Sequence, residues 1–154
     1  MILLDYFVLH HAQISGLHAE LVKPKKGSGT QEAKVELNLT PRLMKSDSSE
    51  ALPAYQVSAR LTCRGGTDQD KTPMFTAQVG IETIYQQISG DPVDLAQFTS
   101  HHASLTRQLY PLLQYELRGL LMRLGLENIN LPFDLAARVD KTTSESVQVS
   151  GAVH

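Results

Sequence analysis

The sequence predicts an α+β domain: a four-stranded antiparallel β-meander, then a crossover, a long helix and a short C-terminal helix. Three observations carry this. Four stretches alternate apolar and polar residues with the period of two that a half-buried strand requires. Short connections rich in Gly, Asp and Pro separate the later strands, as hairpins demand. One later stretch instead spaces its leucines by three and four, the period of a helix.

The first strand is expected over residues 6–22. Tyr6, Val8, His10, Ala12 and Ile14 share one side until Ser15-Gly16 shifts the phase to Leu17, Ala19 and Leu21, which reads as a bulge. KPKKGSGT, residues 23–30, is the composition of a solvated loop. A second strand follows, with Ala33, Val35, Leu37 and Leu39 inward and Lys34, Glu36 and Asn38 outward. The third sets Tyr55, Val57, Ala59, Leu61 and Cys63 against Gln56, Ser58, Arg60 and Thr62. Turn residues 64–73, including Gly65-Gly66, lead to a fourth strand on Phe75, Ala77, Val79, Ile81 and Thr83.

Past Gly90, Asp91-Pro92 is the expected cap and start of a helix, and the region to Leu109 reads as mixed helix and crossover loop. YPLLQYELRGLLMRLG, residues 110–125, is the principal helix, opened by Pro111 and closed by Gly125. Its stripe of Leu113, Leu117, Leu120, Leu121 and Leu124 reads as core or subunit interface. Leu112, Tyr115 and Met122 add apolar area off that stripe, more than one sheet can cover, so a homo-oligomer is expected. Residues 133–139 read as the short terminal helix. Residues 1–140 form one domain and 141–154 a mobile polar tail.

Composition bounds the function. The chain has 154 residues, enough for one ordinary core, with 42% hydrophobic and 19% charged residues. A net charge of −2 gives no basic field for phosphates, so nucleic acid is not an expected partner. The apolar opening carries Asp5, has no basic segment before it and leads to His10-His11, unlike a signal peptide. No run approaches the length of a membrane span, and the single Cys63 cannot close an internal disulfide, which together suit the cytoplasm.

Candidate chemistry is sparse. His10-His11, His18 and His101-His102 lack ligand spacing, and adjacent histidines on a strand point to opposite faces, so no metal is expected. KKGSG at 25–29 lacks the phosphate-loop spacing. Asp68, Asp70, Asp91 and Asp94 sit where carboxylates cap turns and helices, and Cys63 reads as a small buried hydrophobe. No catalytic constellation and no cofactor are expected. A small α+β enzyme or ligand-binding domain, with a pocket between sheet and helix, stays open as the second reading.

The order of elements resembles that of the SecB-type protein-export chaperones, and so do several runs. EAKVELNL (32–39), AYQVSARLTC (54–63) and MFTAQVG (74–80) resemble that family's second, third and fourth strands. Tyr110-Pro111 stands where an aromatic-proline pair opens the family's long helix, and INLP (129–132) resembles the loop that follows it. The resemblance implies an ATP-independent chaperone, a homotetramer built as a dimer of dimers, that holds unfolded preproteins or another aggregation-prone client in apolar grooves. The groove residues it implies are Leu109, Tyr110, Leu126, Ile129, Leu131 and Phe133. It also implies delivery to the SecA motor ATPase through an acidic patch, yet the matching positions fall near Ser15, Ala19 and Gln78, all uncharged.

Overall fold

The computed structural model describes residues 2–22, 33–44, 51–65, 74–126, 129, 131, 136–139 and 147–153. A short helical turn, α1 (Leu3–Tyr6), precedes β1 (Phe7–Leu21). Then come β2 (Ala33–Leu43), β3 (Ala54–Gly65) and β4 (Phe75–Gln87). The crossover carries α2 (Leu95–Thr99) and leads to α3 (His102–Arg123). Two further strands, β5 (Ala136–Val139) and β6 (Val147–Val153), complete one antiparallel sheet in the order β1-β4-β3-β2-β6-β5.

Alternation decides which face of β2, β3 and β4 is covered. Val35, Leu37 and Leu39 on β2, Val57, Leu61 and Cys63 on β3, and Phe75, Ala77, Val79 and Tyr85 on β4 are fully buried, while their sequence neighbours are mostly half-exposed. The helices lie on that face: Phe98 of α2 and Leu105, Leu109, Leu113 and Leu117 of α3 join the same core cluster. Cys63 is, as expected, an apolar core residue, and burial pushes its thiol up to about 12.

β1 behaves differently. It pairs with β4 through two register shifts, between Leu9 and His11 and between Ile14 and Gly16. The second is the bulge expected at Ser15-Gly16; the first, at His10, leaves Ala12 and Ile14 opposite the inward Thr83 and Ile81. Beyond Leu9 only Ala19 is partly buried against the core, and Ile14, Leu17 and Leu21 stay exposed although they lie on the helix-bearing side.

Several expectations are corrected. The long helix starts at His102, not at Pro111, and Pro111 lies inside it. The leucines at 105, 109, 113, 117 and 121 explain this: an apolar ridge repeating every four residues runs straight through the proline and binds the whole helix to the sheet. Asp94, not Asp91, is the cap, its side chain accepting from the N–H of Gln97 at 2.7 Å. Part of the stretch expected as a short terminal helix, Ala136–Val139, is β5, and residues 147–153, expected to lie in an unstructured tail, form β6. The β-branched alternation of VQVSGAV suits the exposed edge that β2 offers. The loop at 23–30 and most of the turn at 64–73 lie outside the described residues.

Candidate functional site

Every apolar position that the sequence assigns to a subunit interface on α3 is used internally. Leu113, Leu117, Leu120 and Leu121 are buried against the sheet, and Leu124 is partly buried against the same core. Of the two readings of this stripe, core and subunit interface, the burial of these leucines within the single chain fits the core. The surface left over is the opposite flank, where Leu112, Tyr115 and Met122, spaced three and seven residues apart, stand exposed, Tyr115 to 79%. Gly119 falls between them, and no atom lies within 4 Å of the position a Cβ would take there, so the flank is open and shallow at its centre.

The residues implied as a client groove are likewise mostly interior. Leu109 and Tyr110 are buried under α3, and Leu126, Ile129 and Leu131 are buried where the chain leaves the helix. All five belong to the core, so they do not line an open groove in the single chain. Phe133 lies outside the described residues.

Among the described residues, two larger apolar surfaces stand uncovered on the helix-bearing side. One is the α3 flank; the other is the β1 strip of Ile14, Leu17 and Leu21, continued by Val22, with Leu17 exposed to 47%. The alternation of β1 contained the second, but periodicity alone does not say whether an inward position finds a covering layer. The first was legible as the excess of apolar area on the helix.

The crossover is held by an aromatic cluster and side-chain hydrogen bonds at the Phe7 end of the sheet. Phe98 stacks on Tyr55 with ring centroids 4.3 Å apart and meets Phe7 at 5.1 Å and Tyr85 at 5.9 Å. The hydroxyl of Tyr55 donates to the carbonyl of Val93, and that of Tyr85 donates to Gln108 Oε1 at 2.8 Å. Burial raises both phenols above their ordinary range, so they act as neutral donors. Gln87, nearly fully buried, is bonded to Ser89, Asp91 and Val93 through its side chain.

The opposite face of the sheet is polar. Glu82 accepts from Ser58 Oγ at 2.6 Å and from Gln56 Nε2 at 3.1 Å, and Arg42 donates to Gln56 Oε1, a ladder that ties β2, β3 and β4 together. The described histidines do not converge. His11 bonds Gln13 and His18 lies 3.9 Å from Glu20, both on exposed β1, whereas His101 and His102 open α3. Among the described residues no group of three or more His, Cys, Asp or Glu is arranged to hold a metal ion. Among them, too, no helix is long and apolar enough to cross a membrane.

No protein-family profile matches the sequence, and no curated protein matches it at the sequence level. The fold has a solved counterpart. It superposes with a TM-score of 0.65 on the Mycobacterium tuberculosis Rv1957 SecB-like chaperone in complex with a ChAD peptide from the Rv1956 HigA1 antitoxin. The similarity covers 85% of this chain and 93% of that one at 18% sequence identity. The fold is thus SecB-like, as the order of elements implied, with four antiparallel strands followed by helices.

Proposed function

We propose that this chain is a divergent SecB-like chaperone that holds non-native polypeptide without ATP and performs no catalysis. The observation that carries the reading is the apolar area left uncovered on a SecB-like fold: the α3 flank of Leu112, Tyr115 and Met122 and the β1 strip of Ile14, Leu17 and Leu21. Apolar area of this kind marks an interaction surface, and one without convergent polar groups suits many unrelated apolar segments. Assembly as a dimer of dimers in the cytoplasm would use part of it between copies and leave grooves along the seams for client.

The M. tuberculosis counterpart is in complex with an antitoxin peptide, and protection of one aggregation-prone partner is the role we assign here in preference to general export. Delivery of preproteins to SecA would call for an acidic docking face. The outer surface along β1 and β4 offers Gln78 and Gly80 beside Ser15, with Glu20 and Glu82 as scattered carboxylates. The enzyme reading finds no support between sheet and helix, where Phe98, Tyr55, Tyr85 and the α3 leucines fill the space.

The test is light scattering of guanidinium-unfolded citrate synthase diluted into buffer with and without this protein, its mass measured in the same buffer. Suppression without nucleotide by a tetramer is expected; absence of suppression by a folded monomer refutes the reading.

A further inference from the structure

The two sides of β2 are occupied unequally. Towards β3 it pairs along its whole length, Ala33 to Leu43. On the other side β6 reaches only from Ala33 to Leu39, and residues 40–43 have no strand beside them among the described residues. β6 is the last of the described strands, separated from β2 by the rest of the meander and α3, and its outer neighbour β5 contributes only four pairs, Ala136 to Val139.

The chemistry of the occupant is informative. VQVSGAV carries no charge, alternates valine with small or polar residues over its first half, and places Gly151 opposite Val35. An uncharged, proline-free segment with valines at alternate positions is of the kind an unfolded chain exposes when it is prone to aggregate. Glycine within the strand weakens it, since it packs no side chain and loses most backbone freedom. β2, by contrast, is fixed from below by fully buried Val35, Leu37 and Leu39, so its edge is already ordered for a strand to join.

We propose that β6 is a resident stand-in for client, and that an extended, uncharged, apolar segment of non-native polypeptide adds antiparallel to the β2 edge in its place. This rests on the chaperone reading above and specifies how part of the client is held. Entry is along residues 40–43, where Leu43 is 53% exposed. Pro41 has no N–H to give there, so that stretch alone pairs weakly and a firm hold requires β6 to leave. As a tethered competitor β6 acts at an effective concentration of about millimolar, so it rejects weak strands and returns to expel a client that begins to fold. Release then needs no nucleotide.

Asn38 and Gln148 face each other directly in the register, so N38C/Q148C allows a reversible disulfide between β2 and β6. Buried Cys63 is an inert third thiol. With guanidinium-unfolded citrate synthase as client, the oxidised variant should need about tenfold more protein for half-suppression than the same variant reduced. In the unsubstituted chain, client should speed amide hydrogen exchange in β6 while β2 stays protected. Equal suppression in both redox states, or β6 exchange unchanged by client, overturns the proposal and leaves the chaperone reading standing. If the unsubstituted chain suppresses nothing, the chaperone reading itself falls, and this proposal with it.

Discussion

The backbone N–H of Val93 donates to Oε1 of Gln87 at 3.0 Å, and the same side-chain amide donates from Nε2 to the carbonyls of Asp91 at 2.6 Å and Ser89 at 2.9 Å. One buried residue at the end of β4 therefore shapes the whole turn from strand to α2. Gln87→Leu keeps the volume but strands those groups, and should cost about 3 kcal/mol of stability. Chemical denaturation checks this, and a loss below about 1 kcal/mol would show that the turn holds without its amide.

Phe98 is the hub of the aromatic cluster, in contact with Tyr55, Phe7 and Tyr85. Phe98→Ala should cost about 3–5 kcal/mol and Phe98→Leu markedly less, because leucine refills most of the cavity. Equal losses would mean that ring stacking, not volume, holds α2 to the sheet.

The exposed flank of α3 separates function from folding. Replacing Leu112, Tyr115 and Met122 together by serine should change the denaturation midpoint little, since surface substitutions usually stay within about 0.5 kcal/mol each. Suppression of aggregation, or the assembled mass, should fall several-fold. Retention of both would remove this flank from the functional surface.

His101 sits at the N-cap of α3 with its pKa lowered from 6.5, first by burial and then by neighbouring positive charge that includes His102. A proton there also opposes the positive end of the helix. The unfolded chain accordingly binds this proton more readily, so the contribution of His101 to stability is complete above about pH 6.5 and is lost as pH falls through and below that value. The melting temperature should drop between about pH 7.5 and about pH 5, and His101→Asn should shrink the drop. An unchanged drop in the variant would assign it to other groups.

Two glycines with positive φ differ in their surroundings. Gly125, φ 76°, has nothing near a built Cβ, whereas at Gly90, φ 79°, the Cβ would lie 2.7 Å from Tyr6 Cδ1. Gly125→Ala should cost about 1 kcal/mol for conformation alone. Gly90→Ala should cost at least about 1 kcal/mol more, because Tyr6 must move while its carbonyl is bonded to Ile88 N–H. Thermal melts of the pair decide the order.

Local sequence spoke clearly wherever one face is covered. The alternation of Val35 to Leu39, Tyr55 to Cys63 and Phe75 to Thr83 named the inward residues of β2, β3 and β4 correctly, because a one-residue slip would have turned them all outward. It failed where long-range packing overrides a local signal. Pro111 reads as a helix start, yet the leucine ridge carries α3 through it; VQVSGAV reads as a tail until β2 provides an edge. The groove residues are buried in the single chain for a related reason. Their apolar character was plain, but whether Leu109 or Leu126 meets solvent depends on how α3 lies across the sheet, which no spacing within the helix encodes.

The strand order β1-β4-β3-β2-β6-β5 also sets a timetable for synthesis. β1 must wait for β4 before it has a neighbour, and β6 can join β2 only after β3, β4 and α3 have been made. Throughout translation, then, the sheet grows from its middle, with β3 the first strand able to pair, on β2. The margin along β2 is closed after the rest of the meander, so a nascent copy spends much of its assembly with the same edge bare that β6 later covers.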